Sequence, residues 1–506
     1  MPEKKRININ DAPKWFKALY ILAPVAGLLL ISLQLDNDFY FIYKTGEHIV
    51  NNGFPTTDFL SMHSSMHIIV QQWLSAVIYY YIYKALGTAG AIGFVILCYG
   101  LFCVLMHKLT RLITDNLFIS SVFSFVADVL AAPMFERTRP QAMTMLLILL
   151  ALYLLESFVK KGKLIYLCGL PLISLALINL HAAMWAMLFV FAAPYGVAAI
   201  PFKFKKIKQE PCCSFVKLAV CGIICFAVGF INPYGFEAMK YITTSFGSQE
   251  INKLIIEMQH TSPADAWGIV LFSVLAVFLC LAVVAKNKSF TTRFVLLFLG
   301  TTLMALMNAK SIAYFIVGGI PAFAYMFKDA KIMLTIDERK RDNKEKKKLA
   351  FLIVMFVAMI GVLGGVIVFQ AGNAESVENQ EEAEYRSLDK IIEILDKEDK
   401  EDIVLFASFN QGQYLEFHGY HPYIDGRAEL FLKKNNKEFD YLKEYNDIRG
   451  ARIYYKDFVD KYHFNYLIVD DAPSYLSTSL DNDGNYELVY KSKQARLYKL
   501  KDTKNG

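Results

Sequence analysis

The sequence predicts an α-helical polytopic membrane protein that ends in a small α/β domain, and three observations predict it. First, 55% of the 506 residues are apolar and 14% aromatic, with a positive mean hydropathy, more than ordinary soluble domains carry. Second, apolar runs of about 17 to 25 residues, the length that spans a bilayer, recur from Phe16 to Phe369. Third, the pattern changes after about Leu388 to short strand-like runs separated by polar turns. The formal charge of +6 does not point to nucleic acid, because the Lys and Arg residues cluster in short segments between the apolar runs. The lipid bilayer is the partner that composition implies. The eight cysteines show neither a disulfide framework nor a metal-ligand spacing.

The first run, roughly Phe16 to Leu35, follows Lys4, Lys5, Arg6, Lys14 and Lys17, which predicts a retained signal anchor with a cytoplasmic N-terminus. Further spans are expected near 87–106, 117–135, 142–159, 164–180, 183–201, 215–231, 267–285, 294–307, 312–327 and 349–369, about eleven in all. The apolar, tyrosine-rich segment His67 to Leu86 decides the topology. Laid in the plane of the outer interface, it puts the basic loops 107–111, 160–163, 203–208, 286–288 and 328–348 in the cytoplasm; as a crossing span it puts them outside. The in-plane reading is preferred, and tyrosines 79, 80, 81 and 83 suit an interface.

That topology gathers polar residues on the extracytoplasmic side: Asp36 and Asp38, the stretch Glu136 to Gln141, Asn179 and His181, Asn232 through His260, and Asn308 to Lys310. Charges at such depth are costly unless paired or facing water, so each is a candidate for function, with helix-end punctuation as the bland alternative. A carboxylate at the end of the first span can act as a general base. Arg137, Arg139 and Lys310 can hold a phosphate, the arginines through a forked pair of charge-assisted hydrogen bonds. A base beside a phosphate clamp suggests group transfer from a lipid-linked phosphate.

Residues 36–74 carry Asp36-Asn37-Asp38-Phe39-Tyr40, Gly46-Glu47, Gly53-Phe54-Pro55, Asp58-Phe59-Leu60-Ser61 and Gln72-Trp73-Leu74. Together with Arg139-Pro140-Gln141, Asn179-Leu180-His181, Asn232-Pro233-Tyr234-Gly235, Glu257, Tyr414-Leu415 and Ile424-Asp425-Gly426-Arg427, this order resembles the bacterial GT-C membrane glycosyltransferases over most of the chain. The resemblance implies a polyprenyl-phosphate sugar as donor and an inverting transfer, with Asp36 and Asp38 matching the catalytic carboxylate and Arg137, Arg139 and Lys310 holding the donor phosphate. Phe39 and Tyr40 stand where tryptophans often follow the acidic pair, Gln72 where an acid is common, and Lys310 where the family places Arg.

The substrate-binding candidates are Glu47, Asp58, Gln72, Trp73, Asn179, His181, Asn232, Tyr234, Glu257 and His260. For Asp58 the alternative is a turn-forming side chain, and for His181 a hydrogen-bonded helix cap. Glu47 and His48 lack metal-ligand spacing, so no metal site is assigned, and a divalent metal is left open.

The chain is expected to divide into a multi-span module over 1–371, an acidic linker over 372–387 and an extracytoplasmic domain over 388–506. Residues 328–348 carry nine Lys or Arg, whereas 375–402 carry twelve acidic residues and four basic ones. Within the last domain Asp425 and Arg427 are read either as an acceptor contact or as an internal pair that shapes the domain. The expected function is sugar transfer to an envelope acceptor, whether polysaccharide, teichoic acid, glycolipid or protein; the alternatives are a non-catalytic assembly factor and a transporter. The hydropathy shows no inverted half-repeat of the kind many transporters have.

Overall fold

In the computed structural model the residues described are 6–8, 24–25, 28, 34–135, 137–204, 207–241, 243, 248–284, 288–329, 333–335 and 382–501. The predicted spans 16–35 and 349–369, the basic loop 328–348 and the linker 372–387 lie largely or wholly outside them. Between Gly87 and Phe327 every predicted span coincides with an apolar helix. The chain order is α1 Asp38–Asn52, α2 Trp73–Thr114, α3 Leu117–Ala131, α4 Gln141–Lys161, α5 Ile165–Leu180, α6 Ala182–Ala198, α7 Phe215–Val228, α8 Ala266–Val284, α9 Thr292–Met307 and α10 Ala309–Phe327. Among these, α2, α4, α8, α10 and the continuous stretch Leu117–Phe135 are long and apolar enough to cross a membrane.

The chain forms two compact units, one of 1–33, 93–232 and 257–372 and the other of 34–92, 233–256 and 373–506. In the first unit the helices are joined by hydrogen bonds between side chains and backbone that apolar surroundings cannot replace with water. Ser174 Oγ on α5 donates to the Cys225 carbonyl of α7 at 2.7 Å and accepts from Trp185 Nε1 of α6 at 2.8 Å. Tyr99 of α2 donates to the Asp128 carbonyl of α3 at 2.9 Å. The strongest tie is a forked ion pair: Arg293 Nε and Nη2, at the start of α9, reach Glu156 of α4 at 3.0 and 2.8 Å, with the Glu156 side chain fully buried.

In the second unit, α1 crosses the first part of α2 at Gly46, where an added Cβ would lie 2.1 Å from the Ala76 carbonyl oxygen, so only glycine permits the approach. The crossing buries Tyr79 and Tyr80. Phe39 packs edge-on against Tyr79 and tilted against Tyr83, and Tyr43 meets Tyr80, so three of the four tyrosines expected at an interface serve as packing, while Tyr81 is exposed. The helical geometry of α2 breaks at Gly87, at φ 62° and ψ −156°, where the sequence puts the boundary between the tyrosine-rich segment and the span.

The C-terminal part adds a helix over residues 382–395, β1 Leu405–Phe406, α11 Gly412–Phe417, α12 Tyr441–Arg449, α13 Tyr455–Tyr462, β2 Tyr466–Asp470, α14 Tyr475–Asp481, β3 Tyr486–Lys491 and β4 Ala495–Leu500. The sheet runs β1-β2-β4-β3, with β1 parallel to β2 and the other pairs antiparallel. β3 and β4 form a closing hairpin that pairs Tyr486 with Leu500 and Lys491 with Arg496. Central β2 is apolar throughout its first four residues because both faces are covered. Leu388, Ile391, Ile392 and Leu395, at helical spacing, lay the 382–395 helix on Leu405, Ile468 and Leu497. Pro422–Ile424 meets β1 through a bridge at Leu405 and a hydrogen bond from Tyr423 N to the Leu405 carbonyl, and Pro422 has no N–H to extend a ladder.

The loop between α1 and α2 is bonded to this domain. Met62 N donates to the Pro422 carbonyl, His421 Nδ1 reaches the Leu60 carbonyl at 2.8 Å, and His63 Nε2 reaches the Tyr423 carbonyl at 3.0 Å while its ring stacks on Tyr441 at 3.8 Å. Burial pushes the His63 imidazole down to about 4 from 6.5.

Two outcomes follow from these ties. Replacing Arg293 with Met leaves Glu156 buried and unpaired, at a cost of about 3–5 kcal/mol, whereas Arg293→Met with Glu156→Leu recovers most of it; thermal unfolding in detergent compares them, and equal losses in both variants would contradict the pairing. For His63 the unfolded chain binds the proton between pH 6.5 and about 4 and the folded chain does not, so stability falls with pH across that window, by at most about 1.4 kcal/mol per pH unit. A His63→Asn variant is therefore expected to lose less of its melting temperature between pH 7 and 4.5 than the parent.

Candidate active site

The acidic pair sits where α1 begins. Asp36 turns the chain into the helix: its Oδ1 accepts from Asp38 N at 3.0 Å and its carbonyl from Phe39 N at 2.9 Å. Asp38 then lies in the first turn, where exposed backbone N–H groups favour negative charge. Asn37 between them faces the C-terminal domain, its amide donating to the Asn410 carbonyl at 2.6 Å and its Oδ1 accepting from the Tyr385 hydroxyl at 3.3 Å. Both carboxylates are half-buried. Asp38 also borders the Asp425-Gly426-Arg427 turn, since a Cβ built on Gly426 would come within 3.1 Å of its Oδ1.

Around that turn is a buried charge network. Arg427 Nη1 and Nη2 grip Asp58 at 2.5 and 3.2 Å, Nε and Nη2 reach Asp425 at 2.9 and 2.6 Å, and Nη2 touches Glu416 at 3.5 Å. The side chains of Asp58, Asp425 and Glu416 are fully buried. Burial raises the Asp58 carboxyl, but Arg427 and the hydrogen bonds from Ser61 N and Oγ outweigh it, and the net shift is downward. Glu416 goes the other way: burial, then the charge of Asp425, push it well above the ordinary carboxylate range and keep it neutral. One guanidinium thus serves Asp58 and Asp425 together, beside an acid pushed toward its neutral form. The network fastens the loop at Asp58 to the domain at Arg427.

The other candidates of this unit are spread from α1 through the loop to the start of α2, with Tyr234 beyond α7. Glu47 pairs with Lys44 at 2.5 Å, and His48 stacks on Phe59 at 3.8 Å. Gln72 accepts from Gln71 at 3.4 Å, Trp73 meets Phe54 edge-on, and Tyr234 donates to the Pro55 carbonyl at 3.1 Å with its ring near Phe54. Phe54, Trp73 and Tyr234 therefore share one aromatic corner.

The predicted phosphate-binding cations belong to the other unit. Arg137 is exposed and ion-paired with Glu257, which lies in the short turn Ile256–Met258. Arg139 follows half-buried, its N–H held by the Arg137 carbonyl just before α4. Lys310 sits in the turn opening α10, fixed by Asn308 Oδ1 accepting from Ser311 N at 3.0 Å, and its charge acts on His181. His181, buried at the break between α5 and α6, meets Thr144 Oγ1 of α4 at 2.9 Å through Nδ1. Asn179 donates to the Leu175 and Ile231 carbonyls, and Asn232 to the Gly229 carbonyl. His260 is exposed. Arg137 with Glu257, and His181 with Lys310, are brought together; the acidic pair is in the unit that holds Asp425 and Arg427.

Sequence reasoning passed over Gln413 and Glu416. Gln413 is buried, and its Oε1 accepts from Gly426 N at 2.8 Å. Their spacing of three on α11 puts two polar groups on one helical face, a signal readable beside Tyr414-Leu415. Among the described residues no cluster of three or more His, Cys, Asp or Glu side chains is arranged to hold a metal ion.

No family model and no curated protein sequence matches the chain. Solved structures do. The oligosaccharyltransferase of Archaeoglobus fulgidus in its apo form aligns over 91% of this chain and 70% of its own, with a TM-score of 0.58 at 10% identity. The same enzyme tethered to an acceptor peptide containing the NVT sequon gives 0.57 at 12% identity, over 91% and 69%. The arabinofuranosyltransferase AftD from Mycobacteria gives 0.50 at 10% identity, over 98% of this chain and 40% of that one. All are glycosyltransferases of the GT-C class. Apolar helices of spanning length together with this likeness make the chain a multi-pass membrane protein with the GT-C glycosyltransferase fold.

Proposed function

We propose that the chain transfers a sugar from a polyprenyl-phosphate donor to an envelope acceptor on the extracytoplasmic face of the membrane. The observation that carries this reading is the acidic pair at the start of α1 in a chain with the GT-C fold. Asp38 or Asp36 takes the proton of the acceptor hydroxyl or amide, the freed oxygen or nitrogen attacks the anomeric carbon, and the bond from that carbon to the phosphate oxygen breaks. The sugar leaves with inverted configuration, and polyprenyl phosphate departs carrying the negative charge. Arg137, Arg139 and Lys310 stabilise that charge, with Lys310 acting as a point charge. Glu47, Asp58, Gln72, Trp73, Asn179, His181, Asn232, Tyr234, Glu257 and His260 are the substrate-binding candidates of this reading. The module and domain boundaries at 371 and 388, and a cytoplasmic N-terminus, belong to the same reading.

Reconstituted protein supplied with undecaprenyl-phosphate glucose, mannose and arabinose and with envelope extract is expected to release undecaprenyl phosphate only when acceptor is present. Asp36→Asn and Asp38→Asn should each still bind donor, and at least one should lower turnover more than a hundredfold; full activity in both removes the general base. Glu257→Gln removes the negative charge beside the Arg137 guanidinium, so tighter binding of undecaprenyl phosphate is expected, with a steeper weakening by salt. Unchanged affinity would separate Arg137 from the phosphate.

A further inference from the structure

The Asp425-Gly426-Arg427 turn lies against the Asp38 carboxylate and is itself held from two sides. Arg427 locks it to the α1–α2 loop through Asp58, and Gln413 accepts its Gly426 N–H at 2.8 Å. A Cβ on Gly426 would stand 3.1 Å from Asp38 Oδ1 and 3.0 Å from Gln413 Nε2, so the carboxylate and the amide both border the space that the missing side chain leaves. The Gly426 backbone does not take the left-handed conformation. Glycine is present here for room.

We propose that the C-terminal domain positions the base, with Gly426 and Gln413 as positioning residues that fix where the Asp38 carboxylate points and how readily it takes a proton. This rests on the assignment of Asp38 as the proton acceptor. Arg427 and Asp58 set the turn, Gly426 keeps the space open, and Gln413 supplies a neutral, buried neighbour to the carboxylate. An alanine at 426 moves one of the two groups by a few tenths of an ångström, and displacements on that scale are costly to a reaction that depends on alignment. A glutamate at 413 keeps the volume and the acceptor for Gly426 N–H, but exchanges the amide for an oxygen that carries or shares negative charge, which raises the proton affinity of Asp38.

Two readouts test this on the full chain in nanodiscs. Carbodiimide modifies only protonated carboxyls, so the pH midpoint of Asp38 labelling, read by mass spectrometry, reports its titration without need of turnover. Gln413→Glu is expected to move that midpoint up by about one unit; an unmoved midpoint overturns the proposal. In the undecaprenyl-phosphate sugar assay, Gly426→Ala at unchanged melting temperature is expected to lower kcat about tenfold with KM within twofold, and a kcat within twofold of the parent also overturns it. The two readings fail separately: full turnover in Asp38→Asn removes the base itself, whereas an inactive Asp38→Asn with an unmoved labelling midpoint in Gln413→Glu removes only the positioning.

Discussion

A single guanidinium, that of Arg427, organises the unit that carries the acidic pair. Taking its charge out of water would be prohibitive alone, and the same is true of Asp58 and Asp425. Each is stable only where the others are, so the loop between α1 and α2 and the turn after Ile424 have one joint conformation rather than two independent ones. The geometry is forked on Asp58 and forked again on Asp425, which sets direction as well as distance. Glu416, kept neutral, adds a third acid without adding charge. The hydrogen bonds at Leu60, Met62 and His63 fill in around this centre.

The apolar helices were legible because lipid imposes one simple rule, a long uncharged run for each crossing, and local composition carries it. Residue 87 marked a boundary in the sequence and a backbone break in the structure, for the same reason: glycine alone takes φ 62° at no cost. The short strand-like runs and polar turns of the C-terminal domain were equally visible. What local pattern does not encode is choice of partner. Asp425-Gly426-Arg427 announces an acid and a base in a turn, but the carboxylate that Arg427 grips lies 369 positions earlier. Nothing near Asp58 says that its neighbour in space is an arginine rather than water. The tyrosines of α2 show the same limit, because their suitability for a membrane interface says nothing about α1 crossing above them. Gln413 was passed over because its signal, a polar side chain three residues before Glu416 on one helical face, counts only once the short helix Gly412–Phe417 is placed.

The candidate site is split in how far it could be read. The residue types were identifiable, carboxylates at one helix start and cations near others, because the cost of charge near lipid makes each one conspicuous. Their present engagements were not: Glu257 sits on Arg137, and Lys310 bears on a histidine packed against Thr144. The first of these is an ion pair, in which Glu257 offsets the Arg137 charge; the second sets a cation beside a buried imidazole and offsets nothing.

The 369-residue separation between Asp58 and Arg427 also sets an order in time. A chain growing from its N-terminus makes α1 and its acidic start first, and the arginine that settles the loop 369 residues after Asp58. Until then Asp58 has no counter-ion, and the loop that follows Asp36 and Asp38 has no fixed seat. Contacts of such long range form late and slowly. A chain that has not yet reached Arg427 therefore carries its acidic residues in an unset loop, and the joint conformation of loop and turn waits on that one residue.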